Sequence, residues 1–369
     1  MQRKMNYIYH NLDWPKFRWD NSSIIALLAE VKYLQGLLLG KMQSIGFEQQ
    51  NEASLETITL DVLKSTEIEG QLLNVDQVRS SVARKLGIVL EYSVNSDRDV
   101  DGIVNMVMDA TARHDQLLTT DRLFAWQSSL FPSGRSGLFE INVGKWRNDA
   151  KGPMQVVSGH IGNEKLHFQA QGAESIPEEM EIFLKWFNQK EEDLFLKAGV
   201  AHLWFVTIHP FDDGNGRVGR ALSEMLLARA DNSAQKFYSL SNQLSLKRKQ
   251  YYLNLEQAQK GNLDITDWLE WFLLCLKSAL LGADQILEKI LFKHQFWNKY
   301  ASQVLNKRQV LMLNKILDGF YGKLTSSKWA KMTHCSQDTA LRDIQLLIDV
   351  NILKKGKIGG RSTNYSLVK

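Results

Sequence analysis

Two apolar runs joined by a short polar bend constrain this chain more than any other feature. The first, LFLKAGVAHLWFVTI (194–208), carries apolar residues on mixed faces, so a helix there must be covered on most sides. Pro210 follows His209, and the residue before a proline is steered away from helical backbone, so the helix is expected to end there. Gly214-Asn215-Gly216 allows a tight turn. RVGRALSEMLLARA (217–230) then opens a second helix with Leu222, Met225 and Leu226 on one side. The bend, HPFDDGNGRVGR (209–220), therefore lies at a helix N-terminus.

That position has a chemical consequence. Free backbone N–H groups and the positive end of the helix dipole favour an anion such as phosphate. Arg217 and Arg220 are three apart and share one side of the first turn, where two positive side chains repel each other and the dipole. A polyanion between them reverses the sign, and guanidinium forks match phosphate oxygens. Asp213 is acidic beside an anion site, a conflict that a bridging Mg²⁺ resolves. His209 at the rim can take a proton near neutral pH. Taken singly, each feature has an ordinary explanation: a turn, a structural histidine, a loop, a solvated face. Their joint spacing is what points to a site.

The rest of the chain reads as mainly α. Only five prolines occur in 369 residues. Helices are expected over 22–47, capped by Ser22 or Ser23, over 55–69, ending at Gly70, and from Asn74 to Leu86. The segment 144–168 is rich in glycine and short β-type runs and predicts a hairpin or irregular flap. Strong helical patterns follow, the last opening at Asp264 or Thr266. STEIEG (65–70) places Ser65 and Glu69 on one helix face, with Glu67 and Glu69 at the negative end of a dipole that a cationic partner would offset. The alternative is a capping box, Thr66 to Glu69, opening a helix.

From Val304 on, the chain has twelve basic and four acidic residues, a net of +8; the whole chain is only +4, so the remainder carries −4. This asymmetry marks a separate C-terminal module. It reads as helix, turn, helix and basic hairpin. Thr325 or Ser326 caps one helix and Ser336 the next, with Ala340, Leu341, Ile344 and Leu347 facing inward and a turn at Gly359-Gly360.

The bend resembles the signature of Fic-domain proteins, His-x-Phe-x-Asp/Glu-Gly-Asn-Gly-Arg-x-x-Arg, at every fixed position, and the likeness extends over roughly 100–285. The resemblance implies transfer of AMP from ATP, with Mg²⁺, to a hydroxyl side chain of a target protein, self-modification included. It implies His209 as general base, Phe211 as the loop's anchor and Asp213 as the Mg²⁺ ligand. Gly214, Asn215 and Gly216 would cradle the phosphates; Arg217 would contact the α- and β-phosphates and Arg220 the γ-phosphate. Asp212 is given no role. Met154, Gln155, Val156 and Val157 resemble the family's target-docking flap, against an ordinary hairpin. Tyr251 and Tyr252 lie where the family lines its base pocket, against a place in the core. STEIEG resembles the family's inhibitory motif, implying a Glu69–Arg220 pair within one chain.

The expected organisation is a helical region over 1–100 carrying the inhibitory helix (55–70), a Fic core over 101–288 and a winged helix-turn-helix-like domain over 289–369. Such a module places its second helix in the DNA major groove. That gives Gln337, Asp338, Thr339 and Arg342 as base-contact candidates and Lys355, Lys357 and Arg361 as phosphate contacts. The same module also serves as a protein-binding or dimerising unit, and a homodimer is compatible with it. Cys275 and Cys335 form no disulfide framework or zinc pattern, and a cytoplasmic chain without a membrane partner is expected. FLLCLKSALLGA is read as the most apolar later segment and is too short to span a bilayer. Alternative readings are a DNA-binding regulator with a nucleotide-sensing core, and a Fic enzyme that uses another donor or removes AMP.

Overall fold

The structure is a computed structural model that describes residues 7–90, 92–150, 152–159, 165–190, 192–317, 319–320, 322–356 and 363–368. Its helices are α1 (Asn21–Gln43), α2 (Phe47–Ile68), α3 (Val75–Leu86), α4 (Arg98–Ala112), α5 (Thr120–Leu130), α6 (Ile176–Asn188), α7 (Leu194–Ile208), α8 (Asn215–Asp231), α9 (Leu240–Leu246), α10 (Arg248–Gln259), α11 (Thr266–Lys299), α12 (Lys307–Leu317), α13 (Ser326–Met332) and α14 (Gln337–Asp349). Three two-stranded antiparallel sheets pair β1 (Arg135–Ser136) with β2 (Phe139–Glu140), β3 (Gln155–Ser158) with β4 (Lys165–Gln169), and β5 (Leu353–Lys355) with β6 (Tyr365–Leu367). Two compact units divide the chain, 1–286 and 287–369.

In the first unit, α7 and α8 form the centre. Nearly every residue of α7 is buried, which its mixed apolar faces require. Asp193 caps it, accepting from the Phe195 and Leu196 N–H groups. α2 carries buried residues along most of its length and packs against α3, α4, α8 and α9. The expected first helix differs in detail. Asp20, not Ser22 or Ser23, is its cap, because the Asp20 carboxylate accepts from the Ser22 N–H and both serine hydroxyls. It stops at Gln43, and α2 begins at Phe47, eight residues before the expected start; Gln50 bridges the joint by donating to the Met42 and Ile45 carbonyls.

α1 is also more apolar than the sequence reading credited. By length and composition it is long enough to cross a membrane, and only 17% of its most apolar window is buried; Ile25, Tyr33 and Leu37 are exposed. Lys32–Asp193, Lys277–Glu30 and Lys41–Asp284 ion pairs fasten it within the first unit. The β1–β2 hairpin was not foreseen, since its strands are only two residues long.

The second unit has its own core of Phe296, Met312, Leu313, Trp329, Ile344, Leu347 and Ile352. Thr325 and Ser336 cap α13 and α14 through the Lys328 and Thr339 N–H groups. Leu341 is a correction: Ala340, Ile344 and Leu347 are four and three apart and buried, whereas Leu341 falls on the next face and is 43% exposed. Arg308 pairs with Asp343 at 2.7 Å. Lys357, Gly359, Gly360 and Arg361 lie outside the described residues.

Candidate active site

The bend is built from both ends inward. His209 ends α7 in the left-handed region, φ 55°, an uncommon conformation outside glycine. Buried Arg147 holds it there: its N–H donates to the Pro210 carbonyl at 2.9 Å and its Nε to the His209 carbonyl at 2.8 Å. Phe211 is fully buried among Phe124, Trp146 and Phe205. Asn215 closes the loop, accepting from the Phe211 N–H at 3.0 Å and donating to the Phe211 carbonyl at 2.8 Å. Its side chain is thereby committed, and what it can offer an anion is its backbone N–H. Gly214, at φ +90°, caps α8 and needs glycine's freedom. The first N–H groups of α8 have no partners within the helix.

Asp212, given no role in the sequence reading, is structural: it accepts from the backbone and side-chain N–H groups of Asn142 at 2.8 and 3.0 Å. Asp213 accepts from the Gly214 N–H at 2.6 Å and from the Ser136 hydroxyl. Among the described residues no group of three His, Cys, Asp or Glu is placed to hold a metal. A single carboxylate suits Mg²⁺ when phosphates complete the shell.

His209 Nδ1 is 3.1 Å from the Val206 carbonyl, which only accepts, so Nδ1 carries the proton and Nε2 keeps its lone pair. Burial pulls the imidazole down to about 4 against the pull of that carbonyl, so it is neutral at pH 7. Arg217 lies over the Phe131 ring at 4.9 Å, and its buried Nε has no hydrogen-bond partner among the described residues. An unpaired buried donor of this kind is costly and fits an anionic ligand.

Arg220 is almost fully buried. Nε donates to Ser65 Oγ at 2.8 Å, and Nη2 donates to the Ser65 carbonyl at 2.8 Å and to Glu69 Oε1 at 2.7 Å. Burial disfavours its charge, but Glu69 outweighs that and holds the guanidinium above its usual range. Glu69 is the C-cap of α2, and Gly70 follows at φ +83°, so Thr66 to Glu69 close a helix and the capping-box alternative falls. A Cβ on Gly216 would collide with Glu69 Oε1, which places that carboxylate directly over the first turn of α8.

This contact is one rung of a longer ladder. Asp61, Ser65 and Glu69 share one face of α2; Glu224, Arg220 and Gly216 share one face of α8, in opposite chain sense. Lys236 Nζ closes the far rung, 2.6 Å from Glu224 Oε2 and 3.1 Å from Asp61 Oδ2, with all three side chains nearly inaccessible. Ser239 donates to Asp61 at 2.6 Å. Sequence reading missed Arg147, Asp61 and Lys236. For Asp61 a signal existed, its four-residue spacing from Ser65.

A cleft of about 590 Å³ is lined by His209, Gly216 and Glu69, by Val156, Val157 and Ser158 of β3, by His167 of β4, and by Tyr251, Tyr252 and Glu256 of α10. Tyr251 is 2% exposed and its hydroxyl meets His202 Nε2 at 2.8 Å; Tyr252 is 40% exposed and its hydroxyl donates to the Ile68 carbonyl at 3.2 Å. Burial drives His202 down to about 3, so it stays neutral behind Arg220. The β3–β4 ladder shifts register between Val156 and Val157, and no other strand pairs with it among the described residues. Gln155 donates to Gln169 at 3.1 Å, and Met154 packs on Tyr7, Phe168 and Ala170.

Comparison with known proteins finds two family matches in the first unit. Residues 117–227 match the Fic/DOC family model, and residues 7–88 match a domain of unknown function, DUF4172. A protein adenylyltransferase Fic of Aedes aegypti is 36% identical over 107 residues, 27% of this chain and 19% of that protein. Its namesake in Nematostella vectensis is 23% identical over 228 residues, 59% and 47% of the two chains. The chain thus spans less than half the length of these relatives. A crystal structure of a Fic family protein from Desulfovibrio desulfuricans G20 shares the fold, with a TM-score of 0.56 at 19% identity over 95% of this chain and 97% of that one.

Proposed function

We propose that this Fic/DOC family protein, with its DUF4172 domain ahead of the Fic domain, moves AMP from ATP to a hydroxyl side chain of a target protein, and that Glu69 restrains it. The observation that carries the reading is the Glu69 carboxylate over Gly216, bonded to Arg220, in the cleft that also holds His209. A helix N-terminus with two guanidinium groups is built for a polyphosphate, and a carboxylate seated there occupies the place of a phosphate oxygen.

In this reading His209 Nε2 takes the proton of the target hydroxyl as its oxygen attacks the α-phosphorus, and pyrophosphate leaves. The backbone N–H groups of Gly214, Asn215 and Gly216 and the side chain of Arg217 bind the phosphates. Arg220 turns from Glu69 to the γ-phosphate when the nucleotide is positioned for transfer. Asp213 would hold Mg²⁺, which when bound neutralises charge on the phosphates. The unpaired edge of β3 at Val156 and Val157 accepts the target's backbone as an added strand, and Tyr252 borders the base. The test is AMP incorporation from labelled ATP into protein. The Glu69→Gly variant labels an added target protein, and adding His209→Ala to it abolishes that labelling; target labelling that survives loss of the imidazole overturns the assignment.

The C-terminal unit is proposed as a winged helix-turn-helix that addresses the enzyme. The support is α13 and α14 followed by the β5–β6 hairpin, with Gln337, Asp338 and Arg342 exposed on α14. Salt-dependent binding of a duplex supports a DNA address; none leaves a protein partner.

A further inference from the structure

Three side chains in the cleft take no part in the chemistry above, yet they form a connected relay. Ser158 Oγ lies 2.6 Å from His167 Nε2, and His167 Nδ1 lies 2.7 Å from Glu256 Oε2. A carboxylate only accepts, so His167 Nδ1–H donates to Glu256, Nε2 keeps its lone pair, and the Ser158 O–H donates to it. This is the relation of nucleophile, base and orienting acid that activates a serine. Burial pushes the Glu256 carboxyl upward, but hydrogen bonds from Lys260 and His167 outweigh that and hold it ionised. The parts come from β3, β4 and α10, so the fold and not a local turn assembles them.

The other hydroxyls lining the cleft are differently placed. Tyr251 is buried against His202, and Tyr252 is tied to the Ile68 carbonyl. Burial raises both phenols above their ordinary value, so both stay protonated at neutral pH. Ser158 alone among the lining hydroxyls faces an imidazole whose other nitrogen is anchored on a carboxylate, and it is exposed.

We propose that Ser158 is itself an acceptor of AMP, a modification site within the chain; this rests on the function proposed above. Ser158 Oγ attacks the α-phosphorus of ATP. An Oγ–P bond forms as the bond to the bridging oxygen of the β-phosphate breaks, and pyrophosphate leaves with that electron pair. The serine proton passes to His167 Nε2, and the imidazolium is balanced by Glu256. The product is a phosphodiester joining Ser158 to AMP. Because Ser158 closes the strand edge that a target would use, the adduct blocks docking, and the modification is self-limiting.

The test uses the full chain carrying Glu69→Gly, incubated with Mg-ATP and no other protein, followed by intact mass and peptide mapping. One AMP on the peptide containing Ser158 is expected, absent in S158A. Glu256→Gln, which keeps the shape of the acid but not its charge, slows the modification by about ten-fold or more, while Glu256→Asp restores part of the rate. AMP on a different residue, with Ser158 unmodified, overturns the assignment. So does release of pyrophosphate on adding a target protein while the chain itself stays unmodified. If no variant releases pyrophosphate with any protein, the proposed transferase activity falls with it.

Discussion

Arg220 grips Ser65 twice, through the hydroxyl at 2.8 Å and through the backbone carbonyl at 2.8 Å. The serine thereby fixes the guanidinium whose remaining reach goes to Glu69. Ser65→Ala leaves Nε of a buried cation without its acceptor, which costs about 1–3 kcal/mol. The expected outcome is a lower denaturation midpoint together with a partial gain of AMP transfer, smaller than that of Glu69→Gly. A Ser65→Ala protein that loses stability but keeps the wild-type rate shows that Ser65 does not set the restraint.

Lys236 is expected to hold the far end of the same ladder. Lys236→Met leaves the buried carboxyl groups of Asp61 and Glu224 facing each other without a cation. Breaking such a group costs about 3–5 kcal/mol. Urea denaturation measures it, and restoring neutrality with Asp61→Asn and Glu224→Gln in the same chain should recover much of the loss.

The same cluster predicts a pH dependence. Burial first, then the nearby Asp61, pushes the Glu224 carboxyl from 4.5 up to about 8. The folded chain therefore holds a proton that the unfolded chain releases across that range. Stability from this group is full below about 4.5 and is lost as pH rises through about 8. Glu224→Gln should flatten that part of the stability profile measured between those values.

His209 makes the opposite prediction for rate. Burial draws its imidazole from 6.5 down to about 4, so it remains a free base well below neutrality. The activity of Glu69→Gly attributable to this base should hold from pH 8 to 6 and decline only toward about 4. An acid limb centred on 6.5 would mean that the imidazole does not sit in the surroundings seen here.

Much of this was legible in the sequence because the governing rules are local. The end of α7 at His209-Pro210, the glycine turn opening α8, the stop of α2 ahead of Gly70, and the four-residue spacing of Ser65 and Glu69 all follow from backbone preference and helical period. The Glu69–Arg220 contact came from family resemblance and not from spacing, since its partners are 151 residues apart. What was missed depends on tertiary placement. Nothing near Arg147 announces that it ties the His209 and Pro210 carbonyls, and nothing near Lys236 announces that it closes a rung between two helices. Leu341 was misplaced because an apolar residue beside a buried stripe is not thereby on it. The cap of α1 was misjudged because Asp20 and two serines compete for one set of N–H groups, and the carboxylate is the stronger acceptor.

The most direct test is the rate of AMP transfer from labelled ATP by wild type and by Glu69→Gly, each measured with and without His209→Ala. The restraint predicts slow labelling of an added target protein by wild type, a gain of at least about ten-fold on removing the carboxylate, equivalent to about 1.4 kcal/mol, and no labelling of that target in either background once the His209 imidazole is gone. Equal rates for wild type and Glu69→Gly would contradict it.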